Sequence, residues 1–215
     1  MMIKKQNYLK HAIVLFLLLL LMQPERAWAA YENVEFSSLT NHDGLTNSQV
    51  GAILKDTRGY IWFGTQSGLC RFDGFRMKTF YYINTDDKSL PNNSVDELQQ
   101  DYGGNIWVHT SVGYCIYKYD EEQFERKPEE WLKNIHVQGP PYKLLIDKDK
   151  NMWIAVYGQG LYYHNAKTKN TYLFKFTKKA QPGCLKEGNI SKITEVDGDA
   201  LITYNDGTIC RVNGQ

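Results

Sequence analysis

The stretch Asp56-Thr-Arg-Gly-Tyr-Ile-Trp62-Phe-Gly-Thr65 recurs along the chain. Second and third copies are Asp101-Tyr-Gly-Gly-Asn-Ile-Trp107-Val-His-Thr110 and Asp147-Lys-Asp-Lys-Asn-Met-Trp153-Ile-Ala-Val156. A faded fourth is Glu195-Val-Asp-Gly-Asp-Ala-Leu201-Ile-Thr-Tyr204. The Trp positions step by 45 and 46 residues, and Leu201 follows 48 after Trp153. Self-similarity at this period means stacked supersecondary units, each too small to bury its own apolar faces.

Each unit spells out the same local structure. An apolar run such as Val50-Gly-Ala-Ile-Leu54 leads in. A turn follows with an acid first (Asp56, Asp101, Asp147) and, in three units, Gly fourth (Gly59, Gly104, Gly198), which is a type I turn preference. The next strand is apolar on both faces: Ile61 and Phe63 point one way and Trp62 the other. A sheet with one wet face would alternate apolar with polar, so these sheets are sandwiched. Further turns, including Asn205-Asp-Gly207, lead to a third strand and a fourth. Four short antiparallel strands per unit, covered on both faces by neighbours, predict an all-β fold, a β-propeller. The units run approximately over 45–82, 90–126, 140–176 and 188–212.

Residues 1–29 stand apart. Lys4, Lys5 and Lys10 precede the uncharged run Ala12–Met22, and Ala27-Trp28-Ala29 has the form of a cleavage site. The run is shorter than the roughly 20 residues a spanning helix needs, so we read a signal peptide, with a mature domain over 30–215 and export to the periplasm. Removing 1–29 takes away four of the 25 Lys and Arg and one of the 24 Asp and Glu, leaving 21 and 23. That near-neutral balance points to neither nucleic acid nor membrane contact by the mature chain. Cys70 and Cys115 hold equivalent places in successive units. Packed sheets lie ~10 Å apart, too far for a bridge, so both read as buried strand residues. Cys184 and Cys210 share the last unit and remain a possible pair. There is no metal-ligand spacing, and no cofactor is implied.

Tyr31–Thr40 could supply the outer strand missing from the fourth unit, closing a four-bladed ring. Alternatively the chain is the opening piece of a larger propeller. We expect the second, with the remaining blades or a dimer partner covering its bare faces.

Leu39-Thr-Asn-His-Asp-Gly-Leu-Thr-Asn-Ser-Gln-Val50, together with Asp56-x-x-Gly-Tyr-Ile-Trp-Phe-Gly-Thr-x-x-Gly-Leu69-x-Arg-Phe-Asp73, closely resembles the two-component regulator propeller repeat. The resemblance is strong in two units, fair in the third and weak in the fourth. It implies the periplasmic sensor region of a hybrid two-component system, in which seven-bladed propellers precede a membrane helix, a histidine kinase and a receiver. None of those later parts is present in this sequence, so the chain resembles the N-terminal blades of such a sensor, truncated. The resemblance implies an oligosaccharide ligand and no catalysis. An exported propeller hydrolase or lyase is the alternative, and a fragment without function is another.

Candidate binding residues lie in equivalent lead-in loops of the units and at departures from the repeat. Loops leading into the first strand of each unit carry Asn47 and Ser48, Asn93 and Ser94, and Asn189, whose side chains could meet sugar hydroxyls or simply shape the turn. His109 stands where the other units have Gly64, Ala155 and Thr203. Trp131 lies off the repeat, in an insertion, where it is either a ligand platform or tucked against a blade. Trp62, Trp107 and Trp153 we read as core. Asp147-Lys-Asp149-Lys-Asn151 begins like a calcium loop, but Met152 and Gly158 stand where such a loop needs Gly and Glu, so we read a turn.

Overall fold

The computed structural model describes residues 37–177, 185–186 and 188–213. The expected signal peptide and Cys184 lie outside them, as do residues 31–36 of the proposed closing strand; residues 37–40 carry no strand. No helix among the described residues is long and apolar enough to cross a membrane.

Four antiparallel sheets follow one another along the chain. The first holds β1 (Val50–Lys55), β2 (Ile61–Thr65), β3 (Gly68–Phe72) and β4 (Met77–Phe80). The second holds β5 (Val95–Gln100), β6 (Ile106–Thr110), β7 (Gly113–Lys118) and β8 (Gln123–Glu125). The third holds β9 (Pro141–Ile146), β10 (Met152–Val156), β11 (Gly160–His164) and β12 (Thr171–Thr177), with β13 (Leu185–Lys186) parallel to β12. The fourth holds β14 (Ile190–Val196), β15 (Asp199–Tyr204) and β16 (Ile209–Asn213). Strand order within each sheet is sequential, so every sheet is an antiparallel meander, with the parallel β13 added at the edge of the third. A short helix, α1 (Pro128–Leu132), fills the insertion between the second and third sheets. These sheets are blades of a β-propeller.

The repeated Trp seeds each seam between blades. Trp62 and Leu69 of the first blade pack with Val95, Ile106 and Val108 of the second. Trp107, Tyr114 and Ile116 pack with Leu144, Met152 and Ile154 of the third, joined by Leu132 of α1. Trp153, Leu161 and Tyr163 pack with Ile193, Ile202 and Tyr204 of the fourth. Trp62, Trp107 and Trp153 are all fully buried. This explains the two-sided apolar pattern: one face of each middle strand serves the blade before, the other the blade after.

The acid six residues before each Trp has two jobs in the first two blades. Asp56 Oδ1 accepts the backbone N–H groups of Arg58 (2.9 Å) and Tyr60 (3.0 Å), closing the turn. Its Oδ2 accepts the Trp62 indole N–H at 2.7 Å. Asp101 repeats this with Gly103, Asn105 and Trp107, the last at 3.0 Å. Asp56 and Asp101 are both buried, and these bonds are what make a buried carboxylate tolerable. Asp147 instead spends both oxygens on Asn151, at 2.9 and 3.0 Å. Cys70 and Cys115 are buried and unbridged.

Candidate ligand-binding face

Each innermost strand carries one bulge close to its start. The register jumps from Val50 to Ala52, Val95 to Glu97, Pro141 to Lys143 and Ile190 to Lys192. The residues left out of the ladder are Gly51, Asp96, Tyr142 and Ser191. A bulged residue escapes strand pairing and its side chain is re-aimed, so the bulges set four equivalent positions around one end of the sheets. The same end bears the second-to-third-strand hairpins and the lead-in loops.

Those loops are tied to the hairpins by the predicted polar residues. Asn47 Oδ1 accepts Gln49 N–H at 2.8 Å, and its Nδ2 donates to Ser67 Oγ at 2.9 Å. Asn92, which the sequence reading passed over, makes the equivalent turn by accepting Ser94 N–H at 2.8 Å. Asn93 Oδ1 accepts Tyr82 N–H at 2.7 Å, and Ser94 Oγ donates to Gln66 at 2.9 Å. Asn189 takes part through its carbonyl, which accepts Asn205 N–H at 3.1 Å. The side chains of Ser48 and Asn189 make no hydrogen bond among the described residues. Thus Asn47, Asn93 and Ser94 build the face. Trp131 packs edge-on against Trp107, ring centroids 5.3 Å apart, and is partly buried in that seam.

His109, beside the bulge at Asp96, lies in the wall between two clefts. One, of about 460 Å3, opens between the second and third blades and is lined by His109, Tyr114, Arg126, Glu129, Pro140, Pro141, Tyr142 and Tyr157. The other, of about 360 Å3, faces the inner strands and is lined by Asp96, Glu97, His109, Lys143, Ser191 and Lys192. His109 Nδ1 contacts the bulge residue Asp96 at 2.6 Å, and its ring packs on Tyr114. Tyr114 donates to Glu97 (2.9 Å) and accepts Leu144 N–H (3.1 Å). Burial, then the Glu97 carboxylate, pushes the Tyr114 hydroxyl up, so it stays a proton donor. The bulge residue Tyr142 stacks on Tyr157 with ring centroids 4.0 Å apart, leaving Tyr157 64% exposed.

The first cleft exists because of what the third blade brings to the seam. Val95 of the second blade fills the corresponding place against Gly64; a Cβ on Gly64 would come within 2.6 Å of Val95 Cγ1. Pro141 holds the Val95 position in the third blade, and His109 the Gly64 position in the second. The departure at His109 was visible in the sequence. Asp96, Tyr142 and Tyr157 were missed, because their juxtaposition depends on the bulges. The face offers a flat exposed aromatic surface beside hydrogen-bonding groups, an arrangement suited to a ligand with both CH faces and hydroxyls.

Residues 44–67, spanning the lead-in loop, β1 and β2, match the two component regulator propeller family. The first unit of the chain therefore matches a two-component regulator propeller repeat. Histidine kinase P4 of Formosa agariphila is 41% identical to this chain over 61 residues, which are 28% of this chain and 4% of that protein. Two solved structures from B. thetaiotaomicron share the fold. The extracellular domain of BT3049, assigned to a hybrid two-component system, superposes with a TM-score of 0.58 at 23% identity, covering 82% of this chain and 25% of that one. The extracellular domain of BT4673, assigned to a one-component system, gives 0.50 at 16% identity, covering 79% and 24%. The propeller repeats described here therefore span about a quarter of each of those solved chains.

Proposed function

We propose that this chain is the ligand-binding part of an exported sensor, which recognises oligosaccharides outside the cytoplasm and acts by binding rather than by catalysis. The observation that carries the reading is the loop-bearing face: loops pinned by Asn47, Asn93 and Ser94, next to an open cleft with an exposed aromatic surface. Identity of 41% over 61 residues to a histidine kinase supports a place in signalling, in which ligand binding biases an attached output. The basic, apolar and small-residue sequence of residues 1–29 supports export.

The test is to incubate the purified chain with a panel of oligosaccharides, following binding by calorimetry and the sugars by chromatography. Saturable binding with every sugar recovered intact is the expected result. New reducing ends or unsaturated products would replace this reading with a hydrolase or lyase.

A further inference from the structure

The cleft between the second and third blades has chemistry that selects among sugars. Tyr157 is exposed yet held rigid by its stack on Tyr142, so its outer face is a preformed apolar plane. The lining also includes Pro141, paired with Val156 on the same blade, which has no N–H to donate. A pyranose presents an apolar CH face of matching size, and stacking on a fixed ring loses little conformational freedom.

Polar selectivity comes from His109. Its Nδ1 faces Asp96, and an ionised carboxylate only accepts, so Nδ1 carries the proton. In the neutral ring Nε2 is then an acceptor, and it has no partner among the described residues. An acceptor needs a donor: a sugar hydroxyl supplies one, whereas a carboxylate or sulfate cannot. The cation in the cleft, Arg126, is already committed. Its Nε donates to Ser89 O at 2.9 Å. Its Nη2 donates to Asp86 O, Ser89 Oγ and Leu90 O at 2.8, 2.7 and 3.3 Å. It therefore offers no free bidentate edge to an acidic sugar. Asp96, with its side chain 56% exposed beside His109, adds repulsion to any anion.

We propose that this cleft binds a neutral sugar ring, laid on Tyr157 and donating a hydroxyl to Nε2 of His109. The inference rests on the oligosaccharide reading above and adds the site and the class of sugar.

The experiment is calorimetry on the full chain at pH 7.5. The probes are neutral gluco-, manno-, xylo- and arabino-oligosaccharides, against acidic oligogalacturonates and oligoalginates. At least one neutral series binds, and no acidic one does. Tyr157→Ala weakens that binding about tenfold, and Tyr157→Trp, which keeps an aromatic plane, restores it. Tyr172→Ala, on outer strand β12 and outside the cleft, leaves it unchanged. Acidic sugars that bind and are lost in Tyr157→Ala would overturn the neutral-sugar inference while leaving the sensor reading intact. Neutral binding unaffected by Tyr157→Ala would place the site elsewhere and overturn this inference alone. Failure of every sugar to bind at millimolar concentration would overturn both.

Discussion

The third unit departs from the repeat at single residues, and each departure has a measurable consequence. At the fourth position of the acid-led turn, Gly59, Gly104 and Gly198 adopt φ of 93°, 84° and 85°, but the third unit has Lys150 at φ 65°. A left-handed conformation costs an L-residue roughly 1–2 kcal/mol that glycine avoids. Lys150 Nζ recovers part of this by donating to Gln100 O at 3.0 Å. Lys150→Gly is therefore expected to stabilise the protein by about 0.5–1 kcal/mol, read as a raised denaturant midpoint with unchanged slope. His164, at the end of β11, is a second departure. Thr171 Oγ1 donates to Ile135 O at 2.6 Å, so it accepts from His164 Nδ1, 2.9 Å away. That leaves the buried Nε2 without a partner among the described residues. Burial first, and then Lys169 and His136, lower the His164 pKa below its ordinary value. The folded state thus resists a proton that the unfolded chain takes up near pH 6.5. Stability is full above that pH and falls as pH drops toward the lowered folded pKa, by at most about 1.4 kcal/mol per pH unit. Thermal melts between pH 6.5 and 5, where exposed carboxylates stay ionised, are expected to show this slope, and His164→Gln to flatten it.

Elements reveal how seams between blades are shaped, and Gly64 shows it most directly. The space for its missing Cβ is already taken by Val95 of the next blade. Gly64→Ala forces Val95 or the backbone aside and is expected to cost about 1–3 kcal/mol by chemical denaturation; Ala155, the same position in the third blade, shows that the strand itself accepts alanine. This contrast also marks what the sequence made legible. Turn, strand and core Trp were readable because the acid, the Gly and the Trp act within one hairpin, at fixed spacing. Asp56 and Asp101 were readable as turn formers but not as indole acceptors, since that bond needs the strand's side-chain direction. The bulges at Gly51, Asp96, Tyr142 and Ser191 were not readable, because a bulge is a relation between two strands and these four residues share no chemistry. Tyr157 met Tyr142 only once the hairpin and the bulge were both in place. Asn47 and Asn93 were readable as polar loop residues, but not for the bonds they make: Asn47 accepts the N–H of Gln49 two residues on, an ordinary local bond of a short amide, whereas Asn93 accepts that of the distant Tyr82.

At the scale of the whole molecule, stability should follow how many faces of each blade are covered. Every residue of β10 is buried, since the third blade has neighbours on both sides. In β15 burial alternates strictly between buried and half-buried residues, the pattern of a sheet packed on one face. Val196 and Ile209 of the same blade are exposed, and its seam with the third blade rests on Trp153. In repeat architectures each unit is held by its own hydrogen bonds plus the interfaces to its neighbours, so a unit with one interface opens at lower free energy than a unit with two. Hydrogen exchange on the full chain should therefore be graded by blade. Amides of β10 and β11 are expected to exchange slowest, and those of β15 and β16 faster by one to two orders of magnitude, since about 1.4 kcal/mol of lost interface already corresponds to tenfold. Equal protection of β10 and β15 would mean that this face of the fourth blade is covered in solution, by a second copy or by other residues of the same chain. Repeating the exchange across a range of protein concentrations separates these two, because only a second copy makes the protection depend on concentration.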